Sequence, residues 1–187
     1  MIFHKKFKVI SKQCQVISIK NFYLLNKKQK NSIEKNILFN CIHHLSESSG
    51  YNFVIEDNID PFFEKLYKKY LSTCKKIFRN FTFKSRSEYF CYLSSVGNYN
   101  CFYHDHKKTG TITGVYYFQL NERDSISFLT DDNQEFKYYP SEGELLFFPS
   151  YRVHKPNPPI YAQRTRYSIN IDIFTEESSE ELFNQDI

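Results

Sequence analysis

The sequence predicts an α+β fold in which two helices pack against an antiparallel β-sandwich. The chain has 187 residues, the length of one domain. Apolar residues recur at helical spacing in two early stretches, and short β-rich runs separated by turn residues follow. Many short strands at this spacing are typical of a sandwich or a barrel. We expect one domain over 1–187, with N-terminal strands and helices (1–80), a β-sandwich core (81–174) and an acidic tail (175–187).

The N-terminal part begins with strands and continues into a first helix. Residues 2–24 combine β-branched and aromatic side chains with lysines, which predicts one or two strands, and residues 27–31 read as a basic turn. Ser32 is the predicted N-cap of the helix, because apolar residues recur at helical spacing after it. His43 and His44 fall near the C-terminal end of this helix and are interpreted as surface residues.

The second predicted helix has Pro61 near its first turn and an apolar stripe along one face. Asp57, Asn58 or Asp60 is its N-cap. Lysines occupy the opposite face, which indicates a solvated surface. A nucleic-acid-binding face is the alternative, so nucleic acid is not excluded as a partner. The lysines are Lys65, Lys68, Lys69, Lys75 and Lys76.

The rest of the chain alternates between short β-rich runs and turn residues. The acidic segment that ends it, residues 175–187, has little apolar content and is expected to be partly disordered. The predicted strands are 81–83, 89–94, 101–106, 112–120, 125–129, 135–139, 144–149 and 167–174.

Composition narrows the classes of function. The net charge of +4 is mild and does not by itself indicate nucleic-acid binding. The five cysteines include no C-x-x-C pair and are odd in number, which favours scattered reduced thiols. No apolar stretch is long enough for a signal peptide or a membrane span, so we expect a cytoplasmic location and no membrane partner.

The stretch His104-Asp105-His106 is the strongest functional signal. Residues i and i+2 of a strand project from the same face, so both imidazoles would point one way and Asp105 the other. Neutral imidazole is the commonest metal ligand in proteins. His154 ends a strongly apolar run and could complete a metal site from a neighbouring strand. The alternative is two surface histidines and an unrelated core histidine.

The motifs around these histidines follow a recognisable order. After His104-x-His106 come Thr113-Gly114-Val115-Tyr116-Tyr117, then Gly143-Glu144-Leu145-Leu146-Phe147-Phe148-Pro149-Ser150, then His154, and finally Arg166-Tyr167-Ser168-Ile169. This order resembles the Fe(II)- and 2-oxoglutarate-dependent dioxygenases of the prolyl-4-hydroxylase-like branch. Within that branch it is most similar to the small oxygenases with a His-x-His motif.

The resemblance covers residues 89–174 and implies a double-stranded β-helix, a jelly-roll or cupin-like antiparallel sandwich with the two helices against it. It also implies Fe(II) as the metal, 2-oxoglutarate as the co-substrate and O2 as a further substrate. His104 and His154 match metal ligands of the family. Arg166 matches the residue that binds the far carboxylate of 2-oxoglutarate, and Tyr117 matches a tyrosine that hydrogen-bonds to it. No catalytic residue is implied beyond the metal site.

The second ligand position departs from the family pattern, because most relatives have Asp there and this chain has His106. Asp105 is one residue out of register, and a one-residue slip turns a side chain to the other face of a strand. Either three histidines hold the metal, or a local bulge turns Asp105 inward in place of His106.

The rest of the implied co-substrate pocket is less sharply defined. Tyr92 is a looser match to a second pocket residue, and Arg164 could compete with Arg166 for the carboxylate. Tyr116 and Tyr117 point to opposite faces, so at least one of them packs as an ordinary strand residue. A stiff loop is predicted after His154, because the chain there contains Pro156, Pro158 and Pro159.

The resemblance implies a hydroxylase, in which the substrate gains a hydroxyl group while 2-oxoglutarate becomes succinate and CO2. The primary substrate is not identified, and a protein residue or a small molecule fits the family. A zinc hydratase or hydrolase is one alternative, since three histidines also suit a zinc ion that lowers the pKa of bound water to about 7. In that scheme Arg166 has no role. The other alternative is a non-catalytic β-sandwich module that binds an acidic partner.

Overall fold

The computed structural model describes residues 7–41, 51–55, 60–86, 89–94, 102–157 and 164–185, with the backbone alone for 37–41, 51–55 and 89–94. Residues outside this description include His43, His44, Asp57, Asn58, Pro158 and Pro159. Within it the elements are, in chain order, β1 (Phe7–Ser11), β2 (Val16–Ile19), α1 (Lys27–Cys41), β3 (Tyr51–Ile55), α2 (Pro61–Ile77), β4 (Phe83–Arg86), β5 (Tyr89–Ser94), β6 (Ile112–Gln119), β7 (Ser125–Leu129), β8 (Glu135–Tyr138), β9 (Leu145–Pro149), β10 (His154–Asn157), β11 (Arg166–Thr175) and α3 (Ser179–Phe183).

The strands form two sheets that pack face to face. The large sheet has the order β1-β2-β9-β6-β11-β5-β3, with β4 also paired to β11, and the small sheet has the order β10-β7-β8. Every strand pair is antiparallel. Val115, Leu146 and Phe148 of the large sheet share one buried cluster with Ile126 and Phe128 of the small sheet. The predicted antiparallel β-sandwich is therefore confirmed.

The other face of the large sheet packs against α2. Along β6, Val115 and Tyr117 belong to the cluster between the sheets, whereas Tyr116 and Phe118 belong to the cluster that contains the apolar stripe of α2. The rings of Phe62 and Tyr116 lie 6.0 Å apart between their centroids. Because both faces of β6 are buried, its sequence is almost continuously apolar.

Helix α2 begins where the sequence predicts. The Asp60 side chain accepts a hydrogen bond from the Phe62 amide at 2.8 Å, and Pro61 is the first helical residue. The lysines of the polar face are all exposed, as expected of a solvated surface.

Helix α1 begins five residues before the predicted N-cap, so the turn predicted at residues 27–31 is wrong. The Asn26 side chain accepts from the Gln29 amide, and the Gln29 side chain accepts from the Asn26 amide, both at 2.9 Å. This reciprocal pair is a capping box built from amides, and it satisfies two amides of the first turn. The motif Asn26-x-x-Gln29 therefore marks the N-terminus of α1 in the sequence. Ser32 lies inside the helix.

The acidic tail is ordered over residues 175–185, where the prediction of disorder is wrong. The N-terminus of helix α3 is capped by a capping box between Ser178 and Glu181. Leu182 and Phe183 are buried in the cluster that also contains α2, and the ring of Phe183 meets Phe78 at 5.0 Å. Two apolar side chains are enough to dock a short segment that is otherwise acidic.

Three other local predictions differ from the structure. Strand β3 was not predicted, although it pairs with β5 along its whole length. In place of the strand predicted at 101–106, the described residues contain a single β-bridge at His104. Pro156 lies in β10 and not in a loop, which is possible because β10 is an edge strand whose outer side needs no backbone donor.

Within the described residues, no helix is both long enough and apolar enough to cross a membrane.

Gly114→Ala is expected to destabilise the fold, because Gly114 faces the ring of Tyr70 on α2. A β-carbon there would lie 2.2 Å from Cε2 of Tyr70. Tyr70 is fully buried and stacks on Phe147 at 4.9 Å, so its ring has no room to move. We expect a loss of about 3 kcal/mol in the free energy of unfolding, measured by urea denaturation.

The matched control is Tyr70→Leu, alone and combined with Gly114→Ala. The double variant should be less destabilised than the sum of the two single variants, since leucine removes the ring edge that alanine meets. Strict additivity would show that the close approach of Tyr70 is not the reason for glycine at this position.

Candidate metal centre

The backbone brings His104 and His154 together directly. Each amide donates to the carbonyl of the other at 2.9 Å, which makes a two-way antiparallel bridge. His154 is the first residue of β10 and is held by its register with Phe128 on β7. The pairing expected from a neighbouring strand therefore forms, although residues 104–106 make only this bridge.

His106 is positioned by a turn that docks onto β11. Its amide donates to the Ser150 carbonyl at 2.7 Å, and its carbonyl accepts from the amides of Thr109 and Gly110. A β-carbon on Gly110 would lie 3.0 Å from the Ile173 carbonyl oxygen. The turn can approach β11 this closely because residue 110 has no side chain.

The three imidazoles converge on one point. Ring centroids are 4.5 Å apart for His104 and His154, 5.1 Å for His106 and His154, and 5.3 Å for His104 and His106. One nitrogen from each ring lies within 4.8 Å of the other two. Asp105 is exposed and its carboxylate contacts Lys107 at 3.3 Å, so it lies outside this cluster.

Each histidine uses its Nδ1 atom for a hydrogen bond to an oxygen. The acceptors are the Phe102 carbonyl at 3.0 Å for His104, the Asp172 carboxylate at 2.7 Å for His106, and the Arg152 carbonyl at 2.9 Å for His154. Because these oxygens only accept, the Nδ1 atoms must be protonated, and all three Nε2 atoms have free lone pairs. Such an arrangement of outer hydrogen bonds is typical of metal-binding histidines.

The environment of His104 and His154 favours the neutral imidazole. Burial lowers the pKa of His154 well below its usual value, and the neighbouring His104 and His106 lower it further. Burial also lowers the pKa of His104. The rings of Phe128 and Phe148 lie against His154 at centroid distances of 5.9 and 4.8 Å. These two histidines therefore favour the uncharged form, which is the form that binds a metal.

The burial of the three histidines is graded. His104 is exposed, His106 is partly buried and His154 is fully buried. The Nε2 atom of His106 is buried and has no hydrogen-bond partner among the described residues. An ion bound by the three nitrogens would have buried apolar surroundings on the side of His154. It would be accessible to solvent on the side of His104.

Asp172 and Thr109 belong to this site and were not predicted from the sequence. Thr109 donates its hydroxyl hydrogen to the Asp172 carboxylate oxygen that His106 also contacts, at 2.7 Å. Asp172 is buried in the middle of β11, a strand whose alternate residues are isoleucines. A carboxylate at an inward position of an apolar strand was the only signal that could have identified it.

A second buried polar group lies at the start of β11. Arg166 is 1% exposed, and its Nε and Nη1 atoms have no hydrogen-bond partner among the described residues. Its guanidinium lies over the ring of Tyr117 at 5.8 Å. The Tyr117 hydroxyl is also buried and unpaired within the described residues. Buried polar groups are normally paired, so this guanidinium and hydroxyl require a ligand or water to complete them.

Asp124 is a further buried polar residue near Arg166 that the sequence did not indicate. It is buried, and burial raises the pKa of its carboxyl while the nearby Arg166 lowers it. Tyr92 lies opposite Ser168 in the pairing of β5 with β11, and Ser168 is also opposite Tyr117. Tyr92 is thus in the same row of the sheet as Tyr117, but its side chain is not described.

Arg164, the competing arginine, is engaged elsewhere. Its guanidinium donates to the Leu120 carbonyl at 2.8 Å from Nε and to Glu142 at 2.6 Å. The side chain is half exposed. It is therefore an ion-paired surface residue, whereas Arg166 is the buried arginine beside Tyr117.

The fold has known counterparts among solved structures. A prolyl hydroxylase from Trichoplax adhaerens, in complex with a peptide of the hypoxia-inducible factor oxygen degradation domain, covers 87% of this chain and 84% of its own, with a TM-score of 0.66 and 17% identity. Prolyl 4-hydroxylases from Phytophthora capsici cover 90% of this chain with a TM-score of 0.66 and 13% identity. This chain spans 63% of that one.

The carbocyclase SnoK of nogalamycin biosynthesis, a non-haem α-ketoglutarate-dependent enzyme, covers 86% of this chain and 80% of its own, with a TM-score of 0.64 and 10% identity. The chain has the fold of these oxygenases. No protein-family model and no curated protein sequence matches it. At these identities the similarity concerns the fold alone.

Proposed function

We propose that the protein is an Fe(II)- and 2-oxoglutarate-dependent oxygenase that hydroxylates a substrate still to be identified. The observation that carries the proposal is the convergence of three imidazoles whose Nδ1 atoms are already engaged, together with a buried guanidinium on β11 whose Nε and Nη1 atoms have no partner among the described residues. The first feature suits a metal and the second suits a carboxylate. A co-substrate that chelates the metal at one end and has a carboxylate at the other requires both.

His104, His106 and His154 would hold the metal. Imidazole is a suitable ligand for Fe(II), and three ligands leave coordination positions open for the co-substrate and O2. When bound, the iron would supply the oxygen activation that hydroxylation needs. Since Asp105 faces solvent and contacts Lys107, the geometry favours His106 over Asp105 as the second ligand.

Arg166 and Tyr117 would bind the far carboxylate of 2-oxoglutarate. An arginine presents two parallel N–H donors to a carboxylate, and burial strengthens such a charged pair. Burial raises the pKa of the Tyr117 hydroxyl, although Arg166 opposes this effect. The hydroxyl therefore keeps its hydrogen and can donate it to the carboxylate. Tyr92 is proposed as a further pocket residue on the basis of its place in the sheet.

The finer assignments follow from the same similarity. We propose that the two sheets are the double-stranded β-helix of the 2-oxoglutarate oxygenases. The structural neighbours include an enzyme in complex with a peptide and an enzyme of nogalamycin biosynthesis, so the primary substrate is proposed to be a protein residue or a small molecule. A cytoplasmic location stays a prediction.

The cysteines whose side chains are described are Cys14 and Cys74. Both are buried and neither forms a disulfide.

The alternatives explain less of the site. A zinc hydratase or hydrolase would use the three histidines but leaves Arg166 buried without a function. A non-catalytic binding module leaves both features unexplained. The buried guanidinium therefore favours the oxygenase.

The test is a spectroscopic titration without oxygen. Protein loaded with Fe(II) should develop a weak visible charge-transfer band when 2-oxoglutarate is added. The same protein loaded with Zn(II) should not, because Zn(II) has a filled d shell. Admission of O2 should then form succinate only in the iron sample. The absence of the band from the iron sample would refute the proposal.

A further inference from the structure

We infer that Asp172 is a positioning residue that supplies, through His106, the negative charge that a three-histidine centre lacks. The inference rests on the proposed metal centre and deepens it. In the usual non-haem iron site a carboxylate is one of the three ligands. Here the ligands are neutral, and the carboxylate lies one hydrogen bond further out.

The geometry of Asp172 fits this role. Its Oδ2 atom accepts from Nδ1 of His106 and from the hydroxyl of Thr109, both at 2.7 Å. Its side chain is fully buried, so water does not screen the interaction. These contacts hold the His106 ring in the tautomer and the orientation that place Nε2 towards His104 and His154.

The three histidines differ in the group that accepts the hydrogen bond from Nδ1. His104 and His154 donate to backbone carbonyls, whereas His106 donates to a carboxylate. A carboxylate acceptor makes an imidazole a stronger electron donor to a metal. His106 also occupies the place where the family pattern has its carboxylate ligand. The negative charge is therefore present on the same side of the site, but Asp172 carries it and contacts the ligand His106 instead of the metal.

Within the described part of the chain, Asp172 has no hydrogen-bond or ion-pair partner besides His106 and Thr109. Among the described residues, its recorded contacts are with His106 and Thr109, and no lysine or arginine forms an ion pair with it. Its Oδ1 atom is buried and has no hydrogen-bond partner within the described chain. A buried carboxylate that lacks a cation is costly in the metal-free protein, and a bound divalent ion nearby would offset that cost.

The experiment compares Co(II) binding by the wild-type protein and by Asp172→Asn. The asparagine keeps the size of the side chain and an oxygen that can accept from His106, but it removes the charge. We expect Co(II) to bind about 10- to 100-fold more weakly, with a shifted visible spectrum. In the Fe(II)–2-oxoglutarate complex, the charge-transfer band should move to shorter wavelength, because weaker donation lowers the energy of the metal electrons.

The matched control is Glu144→Gln. Glu144 is also a fully buried carboxylate, but it accepts from Ser18, Tyr138 and Ser141 and contacts none of the histidines. This variant should lose stability yet bind Co(II) within about threefold of wild type. Thr109→Val, which leaves the carboxylate in place, should have a smaller effect than Asp172→Asn.

The outcomes are distinct. Asp172→Asn binding Co(II) within threefold of wild type with an unchanged spectrum would overturn the inference, as would an equal loss in Glu144→Gln. Failure of the wild-type protein to bind Co(II) would instead overturn the proposed metal centre. Should Asp172→Asn not fold, proton NMR of the Zn(II)-loaded wild type decides. The His106 Nδ1 proton should resonate further downfield than those of the other two histidines, and an equal position for all three would overturn the inference.

Discussion

Replacing His154 with alanine is expected to weaken Co(II) or Fe(II) binding about 100- to 1,000-fold and to abolish the charge-transfer band. Structural zinc sites with four ligands bind with about 10–16 kcal/mol, so one ligand contributes about 2.5–4 kcal/mol. His154 is the most buried of the three histidines at 3% exposure, and its free nitrogen lies on the buried apolar side of the site. The dissociation constant is measured by anaerobic titration.

Two variants separate the loss of a ligand from the loss of a side chain. His154→Phe keeps a ring between Phe128 and Phe148, so it should remain folded and still lose the metal. His43→Ala removes a histidine that the sequence places at a helix end, and it should bind the metal like wild type. Normal metal binding by His154→Phe, or an equal loss in His43→Ala, would contradict the proposed centre.

Replacing Arg166 with methionine is expected to weaken 2-oxoglutarate binding about 100- to 1,000-fold while metal binding is unchanged. Loss of one partner of a buried, hydrogen-bonded charge pair costs about 2–5 kcal/mol, and the co-substrate carboxylate would lose its only proposed cation. The affinity is measured by titrating 2-oxoglutarate into the Fe(II)-loaded protein and following the charge-transfer band.

The same substitution should change the stability of the protein without ligand only slightly, because two effects oppose each other. An apolar side chain of similar length avoids the cost of burying Nε and Nη1 without partners among the described residues, but it also removes the positive charge near the buried Asp124 carboxyl. Urea denaturation should therefore give a free energy of unfolding within about 1 kcal/mol of wild type for Arg166→Met. A loss of several kcal/mol would indicate that Arg166 is a structural residue and not one that awaits a ligand.

Arg164→Met is the matched control, since Arg164 lies two residues away and binds Leu120 and Glu142 at the surface. It should change the 2-oxoglutarate affinity by less than about threefold, because surface ion pairs contribute little. If Arg164→Met lost the co-substrate and Arg166→Met did not, the two arginines would have been assigned in the wrong order.

The sequence by itself determined the features that depend on local periodicity or on motifs. The β-sandwich followed from short alternating runs, and α2 from the cap candidates before Pro61 and its apolar stripe. The three histidines were also identified from the sequence, although a turn at His106, and not the spacing of a strand, brings its ring to His104. The sequence also contains the start of α1, since the amide capping box at Asn26 and Gln29 is a local signal. Such features need only a few neighbouring residues to specify them.

Tertiary structure alone decided the features that join distant parts of the chain. Asp172 meets His106 across 66 residues, and no local pattern specifies that contact. The docking of α3 depends on Leu182 and Phe183 finding a cluster formed mainly by α2 and the large sheet, which outweighs the polar composition of the tail. The choice between Arg164 and Arg166 likewise depends on burial. Arg166 is buried, and two of its guanidinium nitrogens have no partner among the described residues, whereas Arg164 is paired with Glu142 at the surface.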